Sequence, residues 1–266
     1  MKCLSLYAAF IRIKIKCMVE YPSAFWSHTI AKMMMWGSNL IAIYLMIYRF
    51  ESVFSWSAYE VLLLYSINST AYALAGFFIF HPFERLTEHI RTGTFDEILT
   101  KPVNPFLYLC FKEFSTGYIG NILVTGTGII ICVVKLDIQI SLYRILFALV
   151  MLISGALIHA AFMILFNIPA FWIIKTDALS TFRWSLNEFI QYPLSIYDRW
   201  IQVMLTIIFP VAFISFFPAQ VLLNKADFLG FSPLLAYGSP IVGCVLFAIS
   251  YLGFCIGVKN YNSTGS

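Results

Sequence analysis

Long runs of residues without charge constrain this chain more than any other feature of its sequence. The cleanest run, residues 61–80, is 20 residues long, and about 20 helical residues cross the roughly 30 Å of hydrocarbon in a bilayer. The runs are continuously apolar rather than alternating, which excludes the strands of a closed membrane barrel. Because 61% of the residues are hydrophobic and 11% are charged, the chain is too apolar for a soluble domain. The sequence therefore predicts an all-α integral membrane protein.

Six transmembrane helices are predicted, and the fifth is open to two interpretations. The other five cover about residues 27–48, 61–80, 114–134, 145–174 and 233–258. In one interpretation the fifth span is residues 200–224. In the other it covers residues 177–193, and residues 198–223 form two short external helices that re-enter the membrane and break at Pro210. A proline inside an unbroken span removes a backbone hydrogen bond and kinks the helix, so Pro210 favours the second interpretation.

The remaining segments complete one transmembrane domain. Residues 4–20 are basic and amphipathic but too short to span, which predicts an N-terminal helix in the membrane interface. A partly ordered tail is the alternative. The expected order over residues 1–266 is an interfacial helix in 1–23, spans one and two in 24–80, a polar cytoplasmic loop in 81–112, spans three and four in 113–174, span five with the re-entrant helices and span six in 175–258, and a cytoplasmic tail in 259–266.

Basic residues divide unevenly between the two sides of these spans. Five of the 17 lie on one side, namely Arg49, Lys135, Arg144, Arg199 and Lys225, and 12 lie on the side that holds both termini. Cytoplasmic loops carry the excess of Lys and Arg in membrane proteins. We therefore expect a multi-pass protein with both termini and the polar loop in the cytoplasm. This sorting explains the net positive charge without a nucleic acid as partner.

The motifs of an autonomous enzyme are missing from the sequence. It has no Gly-x-x-x-x-Gly-Lys-Ser/Thr loop for nucleotide phosphates, no His-Glu-x-x-His zinc motif and no Gly-x-Ser-x-Gly elbow. The four histidines and six cysteines show no metal-ligand spacing. We therefore expect no catalytic residue, no metal site and no cofactor bound by this chain itself.

Three residues in the apolar segments are candidates for a transport pathway or a contact between subunits. If residues 177–193 form the fifth span, Glu188 lies near the middle of the membrane and needs a partner, a water-filled path or a proton. Arg183 lies in the same segment, and His159 lies near the middle of span four. The alternatives are an interfacial segment in which both charges are solvated, and a histidine that only forms a hydrogen bond within the packed helices.

The polar loop contains a short predicted helix. Gly93 permits a tight entry, and Thr94 is a good N-cap for a helix that starts at Phe95. Glu97 then falls where it completes a capping box, and Pro102 ends the helix because it has no N–H. The apolar side chains recur at i, i+3 and i+4 and form one stripe, which consists of Phe95, Ile98 and Leu99. So short a helix is not stable alone and needs a surface to lie against, unless the segment is a solvated turn.

A resemblance to a known family begins in this loop. Residues 88–105, Glu-His-Ile-Arg-Thr-Gly-Thr-Phe-Asp-Glu-Ile-Leu-Thr-Lys-Pro-Val-Asn-Pro, resemble the coupling loop in the permease subunits of type 2 ATP-binding-cassette (ABC) exporters. Asp96 and the Pro-Val-Asn-Pro end look like one bacterial subfamily of small permeases.

A second stretch carries the same resemblance. The sequence Tyr-Pro-Leu-Ser-Ile-Tyr-Asp-Arg-Trp-Ile-Gln at 192–202, followed by Phe-Pro-Val-Ala-Phe at 209–213 and Phe-Pro-Ala at 217–219, is similar to the external re-entrant helices of that family. Residues 56–60 are a weaker match. The family usually has Gly before that Trp, where this chain has Ser55, and Pro where this chain has Asp198.

The resemblance implies a half-transporter in the bacterial cytoplasmic membrane. Two permeases, identical or sister proteins, would surround the path, and two copies of an ABC ATPase subunit below them would bind ATP and Mg²⁺. Membrane lipids are further partners. The implied ATPase contacts are Arg91, Thr94, Phe95, Asp96, Glu97, Ile98 and Leu99, with the apolar side chains in a cleft of the ATPase and the charged ones at its rim.

Two other functions fit the sequence less well. A self-contained secondary transporter or channel would need an ion or proton site near the middle of the membrane, for which only Glu188 and His159 are candidates. A membrane scaffold would depend on neither ATP nor an ion gradient.

Overall fold

Helices dominate the structure, a computed structural model that describes residues 2–49, 52–53, 55–173, 176–225 and 229–262. The helices are α1 (Lys2–Glu20), α2 (Pro22–Arg49), α3 (Ala58–Ala75), α4 (His81–Glu84), α5 (Leu86–Arg91), α6 (Thr94–Leu99), α7 (Pro105–Lys112), α8 (Tyr118–Lys135), α9 (Leu142–Asn167), α10 (Asp177–Phe189), α11 (Arg199–Val203), α12 (Phe216–Leu222) and α13 (Ser239–Lys259). Two short antiparallel strands, β1 (Ser52–Val53) and β2 (Trp56–Ser57), precede α3. Since four of the described helical stretches are long and apolar enough to cross a membrane, the prediction of an all-α integral membrane protein is confirmed.

Helix α3 is the centre of the bundle. It begins with a capping box, in which the Ser57 hydroxyl accepts from the Glu60 N–H at 3.4 Å and a Glu60 carboxylate oxygen accepts from the Ser57 N–H at 2.7 Å. Every residue from 61 to 73 is buried, because α2, α8 and α9 surround the helix. A helix that is apolar on all its faces is suited to such a position. Through a π-helical turn, α3 continues into α4 and α5, so that Ala58–Arg91 is one helical stretch.

Helices α9 and α13 form the other close pair, and glycines allow their approach. A Cβ atom at Gly243 would lie 2.8 Å from the carbonyl oxygen of Ser154, so any side chain there would push the helices apart. Near the opposite end, a Cβ atom at Gly257 would lie 2.2 Å from the Phe171 ring, in the turn that follows α9. These contacts fix the end of α13 against the end of α9.

The N-terminal helix α1 lies against α7. The Tyr7 ring stacks on Phe111 with ring centroids 4.8 Å apart, and Phe10 meets Tyr108 edge-on at 5.5 Å. The expected N-terminal helix is therefore present, and its place in the membrane interface stays a prediction.

Two of the predicted spans begin later than expected. Helix α8 begins at Tyr118, because the Ser115 N–H donates to the Phe77 carbonyl oxygen at 2.9 Å and holds the preceding residues in a bend. Helix α13 begins at Ser239, and the residues before it form a separate 3-10 turn, Pro233–Tyr237.

The count of six spans stays a prediction. The stretches that meet the requirements of both length and apolarity are Ala58–Arg91, Tyr118–Lys135, Leu142–Phe171 and Ser239–Lys259. Helix α2 is long enough, at about 42 Å, but Lys32 and polar residues such as Ser27, His28 and Asn39 make it less apolar. Helix α10 has 13 residues, or roughly 20 Å, which is less than the thickness of the hydrocarbon core.

Residues 199–222 are bent. Two helical stretches, Arg199–Ile208 and Val211–Leu222, meet at 78°, and we call them the bent pair. The break lies at Phe209 and Pro210, so a straight span over 200–224 is excluded and the chain follows the broken interpretation. The start of the bent pair lies beside the segment that follows it, since Arg199 donates to the carbonyl oxygen of Leu229 and its guanidinium carbon lies 4.3 Å from the ring centre of Phe231. The chain thus enters and leaves the bent pair at the same end of the bundle.

Residues that are expected outside the cell gather at this end. Lys225 Nζ donates to Glu60 Oε2 at 2.9 Å and to the Ser55 carbonyl oxygen at 2.7 Å. Arg144 donates to Asn224 Oδ1 at 3.4 Å. The sorting of basic residues in the sequence therefore agrees with their positions in the bundle, and which end faces the cytoplasm stays a prediction.

Candidate functional site

Helix α6, in the polar loop, begins one residue earlier than expected and without the expected cap. Gly93 has φ 69° and provides the tight entry, a backbone conformation that favours glycine. Thr94 is the first helical residue, and no side-chain hydrogen bond caps the helix. The predicted capping box with Glu97 is therefore wrong, because the Thr94 hydroxyl lies 2.9 Å from Nδ1 of His89 instead.

The apolar stripe of α6 faces the bundle. Phe95 and Ile98 are buried within the chain. The Phe95 ring meets Phe171 at 5.4 Å and Tyr261 at 5.1 Å, both edge-on. The expectation that Phe95 and Ile98 fill a cleft in a partner therefore conflicts with this structure, because neither side chain reaches the surface. They anchor α6 to the ends of α9 and α13.

The outer face of α6 is small and mixed in character. Leu99 is 36% exposed, and Glu97 is exposed beside it, 3.6 Å from Lys101 Nζ. Arg91 and Thr94 are also exposed, and Asp96 is half-buried. Of the seven residues predicted to face a partner, these five are accessible, and they present one apolar side chain surrounded by charged and hydroxyl groups.

A group of side chains joins α6 to the neighbouring helices. His89 Nε2 lies 2.9 Å from Glu113 Oε1, and its other ring nitrogen faces Thr94. Glu113 Oε2 lies 3.8 Å from His81 Nδ1. His89 is buried and Glu113 is half-buried. Sequence analysis missed this group, although the positions of His81, His89 and Glu113 at the two joints between the loop and the apolar runs were a signal for it.

The surroundings of Glu113 favour its charged form. Burial by itself raises the pKa of this carboxyl group, but the hydrogen bond from His89 and the positive charges of His89, Arg85 and His81 outweigh it, so the pKa lies below its usual value. Such a group stabilises the folded state above its unfolded pKa, and the contribution is lost as the pH falls through the folded pKa. At neutral pH Glu113 is therefore charged and lies beside His89, whose other ring nitrogen faces Thr94 of α6.

Arg183 and His159 come together at a second, enclosed site. The cavity between them has room for about one water molecule, at 10 Å³, and is lined by Tyr72, His159, Phe162, Arg183, Leu186, Asn187, Ile190 and Val211. Arg183 is buried, with Nη2 3.7 Å from Glu84 Oε1 and its guanidinium carbon 4.9 Å from the Trp184 ring. Arg183 Nε and Asn187 Oδ1 are buried without a hydrogen-bond partner among the described residues.

The other two candidates from the sequence have different positions, because His159 lines the cavity and Glu188 does not. His159 Nε2 lies 3.0 Å from Asn68 Oδ1, so the histidine forms the hydrogen bond within packed helices that the sequence analysis offered as an alternative. Glu188 is exposed and does not line the cavity. Sequence analysis missed Asn187 and Tyr72, which the packing of α10 against α3 and α9 brings to the same place. Among the described residues no group of three His, Cys, Asp or Glu side chains is placed to hold a metal ion.

Comparison with known proteins agrees with this arrangement. A family model described as "ABC-2 family transporter protein" matches residues 33–265, which include the loop with α6, the cavity at Arg183 and the bent pair. No curated protein matches the chain. The match confirms the resemblance that the coupling loop and the bent pair carry. The chain therefore belongs to the ABC-2 transporter family, in which it is a membrane-spanning permease subunit of an ABC transporter.

Proposed function

We propose that this chain and a second permease, identical or sister, form the substrate path of an exporter that two separate ATPase subunits drive by hydrolysing ATP. One observation carries the proposal: α6 stands at the end of the bundle with Leu99 and Glu97 exposed, while Phe95 and Ile98 fix it to the helices behind. Because α6 is anchored in this way, a displacement of α6 by the ATPase would move the helices behind it as well.

Two sets of contacts would transmit this displacement from α6 to the membrane-spanning helices. Phe95 packs against Phe171 and Tyr261, which follow α9 and α13. Thr94 contacts His89, and His89 contacts Glu113, just before α8. A displacement of α6 on ATP binding by the partner would therefore tilt both sides of the bundle together. In this proposal ATP and Mg²⁺ are bound by the ATPase alone, and Arg91, Asp96 and Glu97 set the register at its surface.

The proposal assigns different roles to Arg183 and His159, which are buried, and to Glu188, which is exposed. Arg183 and His159 border the path, because both line the same small cavity, and Glu188 faces another subunit, because it is exposed. The protein lies in the bacterial cytoplasmic membrane with both termini and α6 in the cytoplasm, which the excess of basic residues on that side supports.

The first experiment is affinity purification of the tagged chain from its native membrane. We expect an ATPase with a phosphate-binding loop to come with it and Leu99→Asp to reduce the recovered ATPase about tenfold, since a charge replaces the central apolar contact. Leu107→Asp is the matched control. Leu107 lies in the same loop and is 39% exposed, against 36% for Leu99, but it lies on α7 rather than α6. ATPase activity in the eluate identifies the partner.

Equal recovery of the ATPase with Leu99→Asp and with the wild type would contradict this proposal. A chain that purifies without any ATPase and moves a substrate in liposomes under a proton gradient would favour the secondary transporter. A chain that transports nothing with either ATP or a proton gradient would favour the membrane scaffold.

A further inference from the structure

A large cavity lies beside the coupling loop, between α1, α2 and the bend before α8. Its volume is about 510 Å³, and it is lined by Lys14, Cys17, Met18, Tyr21, Ala24, Phe25, His28, His81, Phe114, Ser115, Thr116 and Gly117. Neither the proposed coupling path nor the cavity at Arg183 uses it.

The polar part of this cavity is suited to an anion. Lys14, His28 and His81 line it, and no Asp or Glu does; Glu113 faces His81 from 3.8 Å but does not line the cavity. Lys14 Nζ lies 5.7 Å from the ring centre of Phe114, which holds the ammonium group at the cavity. The cavity thus has basic side chains from two helices and from the end of a third.

The first turn of α8 places backbone N–H groups at the same cavity as the Lys14 ammonium group. It begins at the cavity wall, at Thr116 and Gly117, and no side chain caps it, although the Ile119 N–H donates to the Thr116 carbonyl oxygen at 3.1 Å. Unpaired N–H groups at the start of a long helix attract phosphate. Gly117 lets the His28 ring pack against the backbone just before α8, because a Cβ atom there would lie 2.0 Å from that ring.

The remaining wall is apolar and continues onto the outer surface. Met18, Phe25 and Phe114 line the cavity. On α1, Ile11 and Ile15 are exposed. A soluble phosphate would gain nothing from these surfaces, whereas acyl chains would cover them.

We propose that this cavity binds the head of one anionic phospholipid, with its phosphate between Lys14 and the start of α8 and its chains along α1 and α2. The lipid would then fasten α1 to the bundle beside the coupling loop. This inference is independent of the ATPase and of the direction of transport.

Native mass spectrometry of the full-length detergent-purified protein tests the proposal, with phosphatidylglycerol and phosphatidylcholine as probes. We expect one phosphatidylglycerol to be retained in preference to phosphatidylcholine, and Lys14→Ala to weaken its binding about fivefold, the contribution of one lysine near an anionic membrane surface. Lys16→Ala is the matched control, because Lys16 is a lysine on the same helix that is exposed and does not line the cavity. Lys16→Ala should retain the lipid as the wild type does.

Four results would overturn the proposal. Equal retention of the two lipids would remove the requirement for an anion. Equal losses with Lys14→Ala and Lys16→Ala would mean that the helix attracts anionic lipid diffusely. Displacement of the lipid by millimolar inorganic phosphate would identify a site for soluble phosphate. Met18→Trp fills the cavity without changing its charge, and undiminished binding of phosphatidylglycerol to that variant would place the lipid elsewhere.

Discussion

Ser55 has a backbone conformation that few side chains adopt. Its φ is 65°, in the left-handed region where a Cβ atom approaches the following carbonyl oxygen. Its carbonyl oxygen accepts a hydrogen bond from Lys225, which also binds Glu60 at the start of α3. The family pattern usually has Gly at this position, and the backbone here explains why. The serine is tolerated because contacts on both sides hold the turn in place.

Ser55→Gly should stabilise the protein. Glycine adopts the left-handed conformation without the cost of about 1 kcal/mol that serine incurs, although its greater freedom in the unfolded chain offsets part of that gain. We expect the midpoint of thermal unfolding in detergent to rise by about 2 °C. Ser57→Ala, two residues away, should lower the midpoint instead, because it removes the hydroxyl that caps α3. An unchanged or lower midpoint for Ser55→Gly would mean that the turn carries no strain.

Helix α6 shows how an element too short to be stable alone is kept folded. The hydrogen bonds of a six-residue helix do not offset the unfavourable free energy of helix nucleation in water, so packing must stabilise α6. Phe95 is fully buried between aromatic rings from two distant parts of the chain. The apolar stripe that would otherwise suit a partner thus serves to attach the helix to its own bundle.

Phe95→Ala should release α6 without removing its outer face. Truncating a fully buried phenylalanine costs about 3–5 kcal/mol, more than a single short helix contributes. Amides 94–99 should therefore exchange hydrogen for deuterium much faster, as measured by mass spectrometry on the purified protein. Leu99→Ala is the control on the same helix, and it should leave exchange nearly unchanged because its side chain is partly exposed. Protection equal to the wild type in Phe95→Ala would show that other contacts hold the helix.

Sequence alone predicted those elements whose cause is local. The long apolar run at 61–80 predicted α3, Gly93 predicted the turn before α6, and Pro210 predicted the bend. It did not predict the direction in which α6 faces, because a stripe identifies an apolar side but not what covers that side. The capping box was placed at Thr94, whereas Ser57 and Glu60 form one with the same spacing. At Thr94, contact with His89 competes for the hydroxyl, and no local pattern records this.

Contacts between distant segments could not be predicted either, because a local sequence pattern does not show which segments pack together. The joining of Arg183 to His159 depends on how α10 packs against α9, and residue spacing along one helix carries no information about that packing. For Glu188 the sequence left open both a mid-membrane and a solvated position, and the structure exposes its side chain while its neighbour Asn187 lines the cavity. Adjacent helical positions differ by about 100° in direction, so a small rotation of α10 decides which of them is buried.

At the scale of the whole molecule, the two ends of the bundle are chemically different. Glu60, Arg144, Asn224 and Lys225 interact at one end, and the loop with α6 lies at the other. The bent pair starts and finishes at the first end, because Arg199 contacts Leu229 and Phe231. A span would instead carry the chain from one end to the other. The geometry therefore predicts that the bent pair does not cross the membrane.

Cysteine labelling in intact cells tests this arrangement. In a background whose six native cysteines are changed to serine, Asp198→Cys and Asn224→Cys flank the bent pair at exposed positions. We expect a membrane-impermeant maleimide to label both from outside, because a chain that returns to its starting end leaves both flanks in the same compartment. Thr100→Cys, exposed beside α6, should react only after permeabilisation. Labelling of Asn224→Cys but not Asp198→Cys in intact cells would mean that the bent pair is a span, and labelling of Thr100→Cys from outside would reverse the orientation of the whole bundle.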